Sequence, residues 1–177
     1  MKKKQAIPAG RQAFTIIELL MYLSVFVILI TVITVFAITS IKTVHKNQTK
    51  KEVSSAAYSI MRLMLLEIKT ATSVYNPTSL FNTNLGQLSL ETTTGLPVGE
   101  RLSYVDFYFD DNNDFYLKRD GQEPQLLISD KLKVTSLEFL YIASISESIK
   151  INLTVEYNTT NPEYQFSYNL SSMAVTR

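Results

Sequence analysis

Hydrophobic and polar positions divide this chain into three stretches with different periods. Residues 14–41 (FTIIELLMYLSVFVILITVITVFAITSI) are apolar on every side and carry one charge, Glu18. The uncharged run from Leu19 to Ile38 is about 20 residues, enough to cross a ~30 Å hydrocarbon core as a helix. From Lys42 to about Thr72 no Gly or Pro interrupts the chain, and Val53, Ala56, Ala57, Ile60, Met64 and Ile68 recur at three- and four-residue steps. That is the stripe of an amphipathic helix, broadened by Met61, Leu63, Leu65 and Leu66. One helix is therefore expected from Phe14 to about Thr72, stopped before Pro77 because the residue preceding a proline avoids helix.

The third stretch changes period. Residues 73–100 are rich in Thr, Ser and Asn and punctuated by Pro77, Gly86, Gly95, Pro97 and Gly99, which predicts a connection with one strand at 87–91. Over residues 101–177 strands dominate. Residues 101–110 and 115–119 flank the polar turn DDNND as a hairpin, and Asp120-Gly121-Gln122 forms the next turn. Leu137, Phe139 and Tyr141 mark one strand face; Ile149, Ile151, Leu153, Val155 and Tyr157 alternate with polar residues on another. Tyr164, Phe166, Tyr168 and Leu170 repeat the pattern. The expected fold class is α+β: one long N-terminal helix, half membrane segment and half amphipathic, packed on an antiparallel β-sheet.

Composition narrows the function classes. About 135 residues beyond the apolar run support one modest domain with its own core. The net charge is +1, and the only basic clusters are the leader and Lys42, Lys46, Lys50 and Lys51, which argues against an electrostatic nucleic-acid binder. Those four lysines read as a solvated helix face. There is no Cys, so packing alone must hold the external domain.

Ahead of the apolar run, MKKKQAIPAGRQA carries Lys2, Lys3, Lys4 and Arg11, which places the amino end on the cytoplasmic side and the body outside. A secretory signal peptide has a shorter apolar core and a small-residue cleavage site after it, neither of which is found here. Glu18 near the cytoplasmic end of such a helix costs up to roughly 2.5–3.5 kcal/mol if it sits deep, and needs a partner. No Lys or Arg in the apolar run supplies one.

The pattern A|FTIIELLMY resembles the prepilin leader shared by type IV pilins and type II secretion pseudopilins. The resemblance implies cleavage by a prepilin peptidase between Ala13 and Phe14, N-methylation of Phe14, and Glu18 as the fifth residue of the mature chain, used in assembly. The family usually has Gly before the cut; this chain has Ala13, which is also small. Phe14 as the new terminus would place an ammonium one helical turn from Glu18, compensating it within a chain or between neighbours. The family's partners are the prepilin peptidase, other pilins or pseudopilins and an inner-membrane assembly platform. Residues 1–13 would then be leader, 14–41 the membrane or filament-core helix, and 42–177 an extracytoplasmic pilin-like domain. Residues 101–157, rich in Tyr and strand-forming, are similar to minor pseudopilins of the J/W kind. The apolar helix lacks the mid-helix Pro of many major pilins, which favours a minor subunit.

Chemistry is sparse elsewhere. With one His, no Cys, no G-x-S-x-G, no H-E-x-x-H and no P-loop, the sequence reads as a non-enzyme, and no cofactor is implied. His45 reads as solvated or facing headgroups. Asp110, Asn112 and Asp114 have the alternate spacing of calcium ligands, but lack the glycine and distal glutamate of an EF-hand loop, so a hairpin turn is expected. Two function classes stay open: a filament subunit processed and polymerised through its apolar helix, and a singly anchored external binding or sensory domain that never polymerises.

Overall fold

The computed structural model describes residues 15–94, 99, 101–143 and 147–177. The leader, Ala13 and Phe14 lie outside the described residues. Two compact units divide between Val44 and His45. Helix α1, Ile16–Thr70, is one element of 55 residues that contributes to both.

In the first unit α1 is apolar on all sides and buries nothing. Even Ile30, the least exposed of its large apolar side chains, keeps 47% of its surface open. Its hydroxyls are satisfied inside the helix: Thr31, Thr34 and Thr39 donate to the carbonyls of Val27, Ile30 and Val35 at 2.8 Å, and Ser24 to that of Met21 at 2.8 Å. In hydrocarbon an unpaired donor is penalised, so this back-bonding lets polar residues sit in an apolar helix.

The second unit contains the rest of α1 and eight strands. Val53, Ala57, Ile60, Met61, Met64 and Ile68 are buried, as the stripe requires. Leu66 departs from the expectation: it is 57% exposed, at the rim of a groove described below. Strands β1 (Ser73–Val74), β2 (Leu88–Thr92), β3 (Ser103–Phe109), β4 (Phe115–Arg119) and β5 (Gln125–Leu126) form one antiparallel sheet in sequential order. Strands β6 (Leu132–Ile142), β7 (Ser148–Tyr157) and β8 (Ser167–Val175) form a second.

Two meanders thus replace the single sheet expected, and the connection expected over 73–100 with one strand contains that strand as β2 and a further one, β1. The division has a local cause. The edge of β6 is occupied by a loop: the Asn82 and Gly86 amides each donate, at 2.9 Å, to the carbonyls of Phe139 and Leu137. Asn82 and Leu85 take φ of 57° and 53°, a left-handed conformation that cannot continue a strand, so no ladder joins the sheets there.

A bulge reconciles the pattern of β6 with the core. Val134 pairs with Val155 and Ser136 with Thr154, leaving Thr135 as the extra residue. Without it, Leu132 and Val134 would face opposite to Leu137 and Phe139; with it, all four are buried. Phe139, Leu137, Ile149, Ile151 and Leu153 then close the core against α1. The inner face of β8 is only half-covered, with Tyr168 and Leu170, and Phe166 just before the strand, packed at the margin of the core. Tyr164, expected on that strand face, lies in the preceding turn, where its amide donates to Asn161 O at 3.1 Å.

Candidate assembly site on the N-terminal helix

Thr15 immediately precedes α1 and Glu18 lies in its first turn. The Glu18 amide donates to Thr15 O at 3.1 Å, with Thr15 Oγ1 3.4 Å away. Thr-x-x-Glu is the spacing of a capping box, in which a carboxylate at the third helical position also faces the positive end of the helix dipole. That local role was legible in Thr15-Ile16-Ile17-Glu18 but is not what the apolar run alone brings to attention. One turn on, the Tyr22 hydroxyl sits 3.5 Å from Glu18 Oε1, at the long limit of hydrogen bonding.

Around this turn Ile16, Ile17, Leu19, Leu20, Met21, Leu23 and Phe26 are exposed. Glu18 is half-buried among them, and among the described residues no cation lies within ion-pair reach of it. A carboxylate in this setting demands either water, a headgroup or an ammonium supplied from outside the described residues. The helix is long and apolar enough to cross a membrane.

The other expected positions are structural. Asp110 holds the β3–β4 turn: its Oδ1 accepts the amides of Asn112 at 2.9 Å and Asp114 at 2.8 Å, and its Oδ2 accepts Asn112 Nδ2 at 3.3 Å. Asn113 takes φ of 62°, as a left-handed turn residue. The Asp110 carboxylate is therefore engaged by the turn itself. His45 packs edge-on against Tyr164 at 6.5 Å between ring centroids. Among the described residues no group of three or more His, Cys, Asp or Glu could hold a metal ion.

Glu147 escaped the sequence reading. Its Oε1 accepts the Tyr141 hydroxyl at 2.9 Å and its Oε2 the Val74 amide at 2.8 Å, while its carbonyl accepts the Thr176 amide at 3.0 Å. One residue thus ties together β1, β6 and the end of β8. Nothing local signals it, since its partners are distant in sequence. No family model, curated protein or solved structure matches this chain.

Proposed function

We propose that this chain is a minor structural subunit of a type IV pilus or type II secretion-like pseudopilus. It is inserted as a prepilin, cut by a prepilin peptidase before Phe14, and assembled into a helical filament through its apolar helix. Glu18 carries the reading: a lone carboxylate in the first turn of an exposed apolar helix, with no cation among the described residues to neutralise it. The Phe14 ammonium created by cleavage would be that cation, in the same chain or a neighbour. The exposed apolar surface of α1 from Ile16 to Val44 also fits a segment that leaves lipid only to enter a core of like helices. The domain lies outside the cytoplasmic membrane, anchored by one span, until assembly.

Intact-mass measurement on protein extracted from membranes of the native host tests this. Loss of residues 1–13 with one methyl group on Phe14, together with recovery of the chain in sheared filaments, is expected. Full-length chain alone, from a host with an active prepilin peptidase, would overturn it.

A further inference from the structure

A groove of about 500 Å³ runs between the second half of α1 and β8. Its apolar lining comes from Tyr58, Met61, Leu65 and Leu66 on the helix and Leu170 on the strand, and Arg62 and Lys69 stand at its rim. Both cations are exposed and neither has an anionic partner among the described residues. Arg62 and Lys69 are seven residues apart, so two helical turns place them on the same side of the groove.

Strand β8 is an edge. It pairs only with β7, and Ser167–Val175 (SYNLSSMAV) makes no other backbone hydrogen bond among the described residues. In an antiparallel strand every second residue then turns its amide and carbonyl outward. Exposed edges are normally blunted by charge, proline, brevity or a covering loop. Strands β1 and β5 are two residues long and the β6 edge is covered by the loop around Gly86, whereas β8 is nine residues with no charge and no proline. Its inward side chains at Tyr168, Leu170 and Ser172 are half-exposed, although the Tyr168 hydroxyl shares a 2.8 Å hydrogen bond with that of Tyr58 on the helix.

We propose that the β8 edge and its groove form a docking site for an extended acidic segment of a partner protein, which adds as a fourth strand to the β6–β7–β8 sheet. Backbone hydrogen bonds to β8 supply the register. Inward apolar residues of the segment fill the groove over Leu65 and Leu170, and its flanking carboxylates meet Arg62 and Lys69. Arg62 and Lys69, without an anionic partner among the described residues, favour an acidic occupant over a second copy of this chain, since β8 itself has no carboxylate to offer them.

The probe is a blocked, labelled nine-residue peptide with Thr at outward positions and Glu, Leu, Leu, Glu at inward ones, titrated into the full-length chain in neutral detergent micelles. Saturable binding is expected, with slowed hydrogen exchange across Ser167–Val175. The doubly reversed Arg62→Glu/Lys69→Glu chain should bind at least about five-fold more weakly at low salt, and the difference should shrink near 0.5 M salt as screening grows. Both positions are exposed, so circular dichroism of that variant should be unchanged. The proposal is overturned by absence of saturable binding, by equal binding of the peptide with Lys in place of Glu, or by binding that leaves β8 exchange unaltered. Self-association of the chain that protects β8 without peptide would assign the groove to a second copy instead.

Discussion

Arg119 on β4 and Glu67 on α1 form an ion pair, Nη2 to Oε1 2.5 Å, that joins the helix to the first sheet across 52 residues of sequence. Only 15% of the Glu67 side chain is exposed, so its carboxylate depends on this partner more than a surface acid would. Truncating Arg119 to Ala should destabilise the domain by about 1.5–3 kcal/mol, because a partly buried charge loses a charge-assisted hydrogen bond. Replacing both residues by Leu should cost less than the single change, since no charge is left behind. A double-mutant cycle by chemical denaturation reads the coupling directly.

Gly86 is held where a side chain does not fit. A Cβ there would lie 2.7 Å from the Leu80 carbonyl oxygen and 3.3 Å from Phe139 Cδ2. The first contact is with backbone, which cannot rotate away. Gly86→Ala should therefore cost about 1–3 kcal/mol, in the range of overpacked interiors, and loosen the loop that covers the β6 edge. A lowered melting temperature with faster amide exchange at Asn82 and at position 86, whose amides donate to the Phe139 and Leu137 carbonyls, is the expected signature; an unchanged melt would mean the loop adapts.

Stability should fall in alkali. Tyr141 is pushed above the ordinary tyrosine range, first by its hydrogen bond to Glu147; Tyr168 is raised first by its bond to Tyr58, and Tyr104 and Tyr116 first by burial and then by nearby carboxylates. In the unfolded chain these phenols ionise near pH ~10, before the folded ones do. The contribution is thus complete below that pH and is lost as pH rises through the higher folded values. Thermal melts should be flat from neutral to mildly alkaline pH and decline beyond ~10. In Glu147→Gln the Tyr141 phenol should ionise at lower pH, visible by tyrosinate absorbance.

Much of this fold is legible locally. The α1 stripe, the β3–β4 hairpin and the alternation of β7 each declare themselves within a few residues of their observed limits, because helix and strand periods differ. Strands β1 and β5 are two residues each and have no period to show. The separation into two sheets depends on Asn82 and Gly86 reaching β6, and the Glu67–Arg119 and Glu147 contacts on residues far apart in sequence. Such pairings are set by tertiary packing. At the candidate site the isolation of Glu18 is plain from the apolar run, and its position in the first turn of α1 follows from Thr15.

The second unit should fold alone. Its core is drawn from Val53 onward, and among the described residues no buried apolar side chain lies before Val44. A chain beginning at His45 should be soluble, monomeric and cooperative in thermal denaturation, with the mixed helix and strand circular dichroism of the full protein. Aggregation or a featureless spectrum would mean that the second half of α1 needs the first half to hold its helix.

Glu18 stands at the third position of a Thr-x-x-Glu box and carries the one charge of the apolar run, two properties that substitution can separate. Glu18→Ala removes both; Glu18→Gln keeps a residue that serves at the third position of a capping box and removes only the charge. Loss of capping costs about 0.3–1 kcal/mol, too little to stop membrane insertion of a helix this apolar. If the carboxylate neutralises the Phe14 ammonium in a filament, its removal leaves an ammonium unpaired in a low-dielectric setting, which is penalised by about 3–5 kcal/mol when well buried. Both variants should therefore insert and be cleaved nearly as the parent is, since the change lies beyond the scissile bond. Both should be strongly depleted from sheared filaments, or reduce filament number if the subunit initiates assembly. Expression of each in the native host, comparing the processed fraction in membranes with the amount in filaments, makes the distinction. Normal incorporation of Glu18→Gln would leave only the capping role, and a plain membrane anchor would then explain the helix as well.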